Sequence, residues 1–162
     1  MYSSQDFKEE KLNDDNRSSS FILKPFEKGY YEIYLKWFED EKIKDALYDI
    51  DEEWLDHILK DKSGAEYVVL DDEMLVAVIG IELPTSDHSA YTITNIAVNP
   101  KLFRKGIGAR VLNILYQKHP LKTGESWLAF VEEKNKAAQS FFLKNGWANE
   151  QMEDGMIKFR KQ

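Results

Sequence analysis

The residues best suited to chemistry lie in KLFRKGIGARVLNILY, positions 101–116. Gly106 and Gly108 stand one residue apart, directly after the cations Arg104 and Lys105. An apolar stripe at helical spacing begins at once with Ile107, Val111, Leu112, Ile114 and Leu115. Glycine costs a helix about 1 kcal/mol relative to alanine, and no Ser, Thr, Asp or Asn is placed to cap this first turn. Bare N–H donors and the positive end of a helix dipole bind anions, phosphate above all, and glycines let a ligand approach without meeting a Cβ. The stretch is not a Walker loop, because Ala109 stands where Lys would follow Gly108. Nor is it a dinucleotide fingerprint, because position 111 is Val rather than Gly. The chain has no cysteine, and His57, His88 and His119 are too far apart in sequence to suggest a ligand set, so no metal is expected.

These residues need elements to hold them. FILKPF reads as a first strand ended by Pro25. Tyr31, Tyr34, Leu35 and Phe38 give one helix face, and Trp54, Leu55, Ile58 and Leu59 a second. The period then falls to two. EYVVLDDEMLVAVIGIEL reads as a hairpin around Asp72 and Glu73, with Leu75, Ala77, Ile79, Ile81 and Leu83 on one face. AYTITNIAV is the next strand, stopped by Asn99-Pro100. The glycine-led helix follows over roughly 106–118, then the strand ESWLAFVE. NKAAQSFFLKN is a helix with Asn135 as N-cap and Gly146 just past its end. Two short strands, about 147–152 and 156–160, close the chain. The fold class is α/β, of the α+β kind, with residues 1–20 a polar tail and 21–162 a single domain.

With 162 residues, 43% of them apolar and 31% charged, the chain has the composition of a soluble globular protein. It contains no run of about 18 apolar residues, and its start lacks the apolar core of a secretion signal. A cytoplasmic location is expected, with no membrane partner. The net charge of −7 is uneven. Glu39 to Asp56 holds nine acidic and two basic residues, whereas His88 to Gly124 holds no acidic residue and carries Lys101, Arg104, Lys105, Arg110, Lys118 and Lys122. A cationic zone this local suits a compact polyanion rather than a nucleic acid, whose footprint is a broad basic face.

IAVNPKLFRKGIGARVL resembles the signature of the GNAT acetyltransferase superfamily, in which a strand leads through Gln/Arg-x-x-Gly-x-Gly/Ala into a helix. VEEKNKAAQSFFLKNGW resembles the family's later pattern, matched at Asn135, Ala138, Phe141, Gly146 and Trp147. The resemblance covers residues 20–160 in order of elements. It implies a mixed sheet of about six to seven strands flanked by about four helices.

It also implies acetyl-CoA as acetyl donor and no metal. The pyrophosphate would lie on Phe103, Arg104, Lys105, Gly106, Ile107, Gly108 and Ala109. The pantetheine would run as a pseudo-strand along the backbone of Ile96, Ala97 and Val98, where that strand diverges from the strand at Trp127 to Val131. Asn135, Ala138 and Phe142 would line the cofactor farther on. An amine would attack the thioester directly, once a base has taken its proton, and the Val98 backbone N–H would stabilise the developing oxyanion.

Two positions depart from the family pattern. Phe103 stands for the usual Gln or Arg, with Arg104 adjacent as a substitute. Phe142 stands for a Tyr that often protonates the leaving thiolate, which leaves Ser140 or solvent as donors. Glu82, at a strand end, is the candidate base, with Tyr91 and Asn95 on the next strand. The acidic segment points to a cationic acceptor, a small-molecule or peptide amine, on a monomer or homodimer. The alternative is a degenerate domain that binds acyl-CoA or a protein partner without catalysis.

Overall fold

The computed structural model describes residues 20–162; the tail expected over 1–20 lies, apart from Ser20, outside them. Seven strands form one sheet: β1 (Phe21–Pro25), β2 (Gly64–Asp71), β3 (Met74–Glu82), β4 (Ala90–Val98), β5 (Ser126–Glu132), β6 (Ala148–Glu153) and β7 (Met156–Lys161). Their spatial order is β1-β2-β3-β4-β5-β7-β6. Every neighbouring pair is antiparallel except β4 with β5, which is parallel. Among the described residues five α-helices accompany the sheet: α1 (Tyr31–Trp37), α2 (Glu41–Ala46), α3 (Glu52–Lys60), α4 (Ile107–Lys118) and α5 (Lys136–Lys144).

Strands β2 and β3 are apolar at nearly every position because both faces of the sheet are covered. Tyr67, Val69, Ala77, Ile79 and Ile81 pack with Ile107, Val111, Leu112 and Leu115 of α4 and Phe142 of α5. Val68, Leu70 and Val78 pack on the opposite face with Tyr31, Tyr34 and Trp37 of α1, Ile43 of α2 and Leu55 of α3. Leu75 joins this second face rather than the first. The pairing runs Val69↔Ala77 and then Leu70↔Leu75, so Val76 is an extra residue and the alternation slips there.

Helix α2 was not expected from periodicity. It buries one residue, Ile43, so it has no apolar stripe to read. Asp40 caps it by accepting from the Lys42 N–H at 2.9 Å, as Asp51 caps α3 through the Trp54 N–H at 2.8 Å. No helix among the described residues is long and apolar enough to cross a membrane.

Candidate active site

The parallel ladder is short. It joins Ala90↔Ser126, Tyr91↔Trp127, Thr92↔Leu128 and Ile93↔Ala129, and there it ends. Beyond Ile93, β4 continues beside β3 to Val98, while β5 continues beside β7 to Glu132. The strands part into an opening at their C-terminal ends. The Asn99 N–H donates to the Val76 carbonyl at 2.9 Å. Backbone groups alternate between the two edges of a strand. Ala97 therefore faces β3, and Ile96 and Val98 turn their N–H and C=O groups into the opening, where no strand pairs with them. An extended ligand fits such an edge.

The opening coincides with a bulge. β3 pairs Gly80↔Asn95 and then Ile81↔Ile93, which leaves Thr94 as an extra residue in β4. The slip moves later side chains to the other face. Ile93 packs under α4, whereas Ala97 packs under α1–α3.

The loop after β4 is stapled to the sheet by Asn99. Its Nδ2 donates to the Leu75 carbonyl at 3.1 Å and its Oδ1 accepts from the Lys101 N–H at 3.0 Å. Arg104 and Gly106 both take left-handed backbone, at φ of 65° and 72°. Gly106 opens α4, and no side chain caps that end. Arg104, Lys105 and Gly106 are exposed. A Cβ on Gly106 would meet nothing within 4 Å, so this glycine answers to its backbone angle and to a bare approach. Gly108 has a different reason. A Cβ there would lie 2.6 Å from Cε1 of Phe141, so it lets α5 pack closely on the first turn of α4. Phe103 turns away from the loop. Its ring packs with the second cluster, and Lys42 Nζ stands 5.5 Å from the ring centre. Arg110 lies back over Phe21, its guanidinium carbon 3.9 Å from the ring centre. Together the uncapped helix, the exposed cations and the free edge of β4 fit a phosphate-bearing, extended ligand.

The profile of the Acetyltransferase (GNAT) family matches residues 27–147. The chain belongs to the GNAT acetyltransferase family. It is 27% identical over 127 residues to the uncharacterized N-acetyltransferase YfmK of Bacillus subtilis (strain 168), covering 75% of this chain and 82% of that protein. Its fold is similar to spermidine N-acetyltransferase from Vibrio cholerae, solved with CoA and spermine, at a TM-score of 0.68 and 15% identity over 88% of this chain and 94% of that one. It is also similar to an aminoglycoside N(6')-acetyltransferase from Legionella pneumophila, at a TM-score of 0.70 and 16% identity over 87% of this chain and 91% of that one. This GNAT chain is therefore an acyltransferase, with the mixed sheet of its structural neighbours.

The remaining candidates are dispersed. Asn135 caps α5, accepting from the Ala138 N–H at 3.1 Å. Ala138 packs half-buried against the first cluster. Phe142 is only 4% exposed, with the rings of Trp147 and Phe159 centred 4.8 and 5.6 Å away. Glu82 is exposed at the end of β3, opposite Thr92, on the closed side of the divergence.

One group escaped the sequence reading. Glu66 of β2, Gly80 of β3 and Asn95 of β4 stand opposite one another in a row. Asn95 Nδ2 donates to Glu66 Oε2 at 2.6 Å, and Thr94 Oγ1 donates to Asn95 Oδ1 at 3.0 Å. A Cβ on Gly80 would collide with Asn95 Oδ1 and Glu66 Oε1 and come within 2.8 Å of Thr94 Oγ1. The cluster thus lies across a missing side chain. Burial pushes the Glu66 carboxyl up to about 7, against the lowering by Asn95. The Tyr34 phenol is buried beside them, and its ionisation is opposed first by burial and then by the charge of Glu66.

Proposed function

We propose that the protein transfers the acetyl group of acetyl-CoA directly to a primary amine. The observation that carries this reading is the open edge of β4, with the Ile96 and Val98 backbone turned into the divergence from β5. Acetyl-CoA is the donor substrate and supplies an activated thioester. The loop from Phe103 to Ala109 holds its phosphates through backbone N–H groups and through Arg104 and Lys105. The pantetheine bonds along Ile96 to Val98, and Asn135 and Ala138 line the far wall, while Phe142, expected there too, is enclosed in the core behind them. The Val98 N–H stabilises negative charge that develops on the thioester oxygen. No metal takes part.

The acceptor is cationic, a small-molecule or peptide amine. Helices α1–α3 cover one face of the sheet. The acidic residues between Glu39 and Asp56 lie there, and all but Asp40 are exposed. A negative surface raises the local concentration of cations and speeds their arrival. The two solved neighbours act, by their names, on spermidine and aminoglycoside amines, which is chemistry of the same class. We place the enzyme in the cytoplasm, as a monomer or homodimer.

The test is thioester turnover with a panel containing spermidine, an aminoglycoside, a lysine peptide and neutral and acidic amines. Acetylation of cationic amines supports the reading, and preference for neutral or acidic amines refutes the acceptor class. A second reading, acyl-CoA binding without catalysis, is favoured by Phe142, which has no hydroxyl and is enclosed by other rings. Tight acetyl-CoA binding with no turnover on any amine would establish it.

A further inference from the structure

We infer that Glu66 takes the proton from the acceptor ammonium before the nitrogen attacks the thioester. This rests on the acetyl-transfer reading above and names the base that it requires.

The argument begins with reach. Neighbouring strands lie about 4.8 Å apart, so β2 is two strands from β4. A carboxylate from β2 reaches β4 only if β3 offers nothing in between. Gly80 offers nothing, and Glu66 meets Asn95 over it. Asn95 lies just past the last β4–β5 pair, Ile93↔Ala129. The carboxylate is therefore carried to the mouth of the opening, on the face that α1–α3 cover.

The surroundings suit a cationic amine. The Phe26 N–H bonds the Glu66 carbonyl at 2.8 Å, which puts Phe26 in the same row. Its ring stands 5.5 Å from that of Trp54 and 6.1 Å from that of Tyr34. Of these three rings only Trp54 is partly exposed, and an aromatic face attracts ammonium groups. Glu66 itself is half-buried as a residue, at the edge of the row. An ionised carboxylate offers about four lone-pair sites, and the bond from Asn95 occupies one. The titratable group facing Glu66 from α1 is Tyr34, held neutral by burial. The residue after β1 is Phe26, β3 presents Gly80 and farther along Glu82, and β4 presents Thr94 and Asn95. No cation neutralises Glu66 within this set, and its raised pKa puts the proton affinity near neutrality, where a general base works best.

The protons balance. The ammonium gives one proton to Glu66, which releases it to solvent after turnover. The freed nitrogen forms the new C–N bond, the C–S bond breaks with its electrons on sulfur, and the second amine proton ends on that sulfur. The products are the acetylated amine and the thiol.

The test uses Glu66→Gln and Asn95→Ala in the full chain, with the panel amine that the wild type acetylates fastest. At pH 7 Glu66→Gln should lower kcat/KM by about 10²–10⁴-fold. The deficit should shrink as pH rises toward the amine's own pKa, because a neutral amine needs no base. Wild-type kcat/KM should level off above about pH 7, while the variant should keep rising. Asn95→Ala removes a bond that lowers the Glu66 pKa, so it should move the wild-type limb to higher pH. Carbon-13 NMR of glutamate carboxyls, without any substrate, should show one titration near 7 that Glu66→Gln deletes. Three results overturn the inference: a carboxyl that titrates with ordinary glutamates, a Glu66→Gln deficit that is absent, or one that is constant with pH. If no amine is turned over by the wild type while acetyl-CoA still binds, the acetyl-transfer reading falls and takes this inference with it.

Discussion

Gly108→Ala sets two effects against each other. Alanine is the better helix former by up to about 1 kcal/mol. Against that, its Cβ would lie 2.6 Å from Cε1 and 3.0 Å from Cζ of Phe141. Overpacking of a filled interior typically costs about 1–3 kcal/mol. The ring is held between α4 and α5 and by its edge contact with Phe142, centred 5.3 Å away, so overpacking should win. The net expectation is a loss of about 1 kcal/mol, or roughly 2–4 °C in Tm for a chain of this size. Phe141→Leu shortens the obstructing group. In that background Gly108→Ala should become neutral or stabilising, with a coupling of about 1–3 kcal/mol in the double-mutant cycle. Gly106→Ala should cost a similar amount, about 1–2 kcal/mol for left-handed backbone, but should show no coupling to Phe141. Urea denaturation of the six proteins measures all of this. A stabilised Gly108→Ala single variant, or a zero coupling, would refute the packing account and return Gly108 to a purely ligand-facing role.

Gly106→Asp places a side chain and a negative charge at the bare end of α4; calorimetry should find acetyl-CoA binding largely abolished, and unchanged affinity excludes this loop as the phosphate site. Phe142→Tyr should lower Tm without raising kcat, because the ring is 4% exposed among aromatic neighbours and an unpartnered buried hydroxyl costs about 1–3 kcal/mol; a faster enzyme of unchanged Tm would mean that the new hydroxyl reaches the sulfur. Glu66 also predicts a stability profile. Its carboxyl is raised from 4.5 to about 7 on folding, so the folded state holds the extra proton in that window and stability falls as pH rises through it. Glu66→Gln should match the wild type near pH 4 and exceed it above pH 8, by at most about 3 kcal/mol at 1.36 kcal/mol per pKa unit, less what partial solvent access screens; a gap independent of pH contradicts the shifted carboxyl.

What could be read from the sequence was what lies within one element or one turn. The glycine-led helix, the hairpin about Asp72 and the caps at Asn135 and Gly146 are local patterns, and each produces its element where the residues stand. Features that depend on register were hidden. Leu75 has the right parity for the first face and loses it to the bulge at Val76. Glu66 reads as an ordinary glutamate at the start of a strand, and Gly80 as a gap in an apolar run. Only pairing across three strands brings residues 66, 80 and 95 together. Glu82, the base expected from its place at a strand end, shares strand parity with Gly80 but stands one row toward the closed end, opposite Thr92.

The bulge at Thr94 ties both halves of the site to one residue. A bulge sharpens local twist and disrupts pairing, and here β5 leaves β4 immediately after Ile93. The same extra residue exchanges the faces of every side chain beyond it. With no bulge, Asn95 would share the face of Ile93, under α4, and could not meet Glu66. With it, Asn95 turns to the α1–α3 face, while the Ile96 and Val98 backbone turns to the open edge. Donor and acceptor can then approach one strand from two directions, the thioester along its edge and the amine over its face. Deleting Thr94 should restore regular alternation and so remove both at once: the carboxyl titration near 7 and the binding of acetyl-CoA should disappear together. Loss of one with full retention of the other would show that the opening and the Glu66 row are independent features of the sheet.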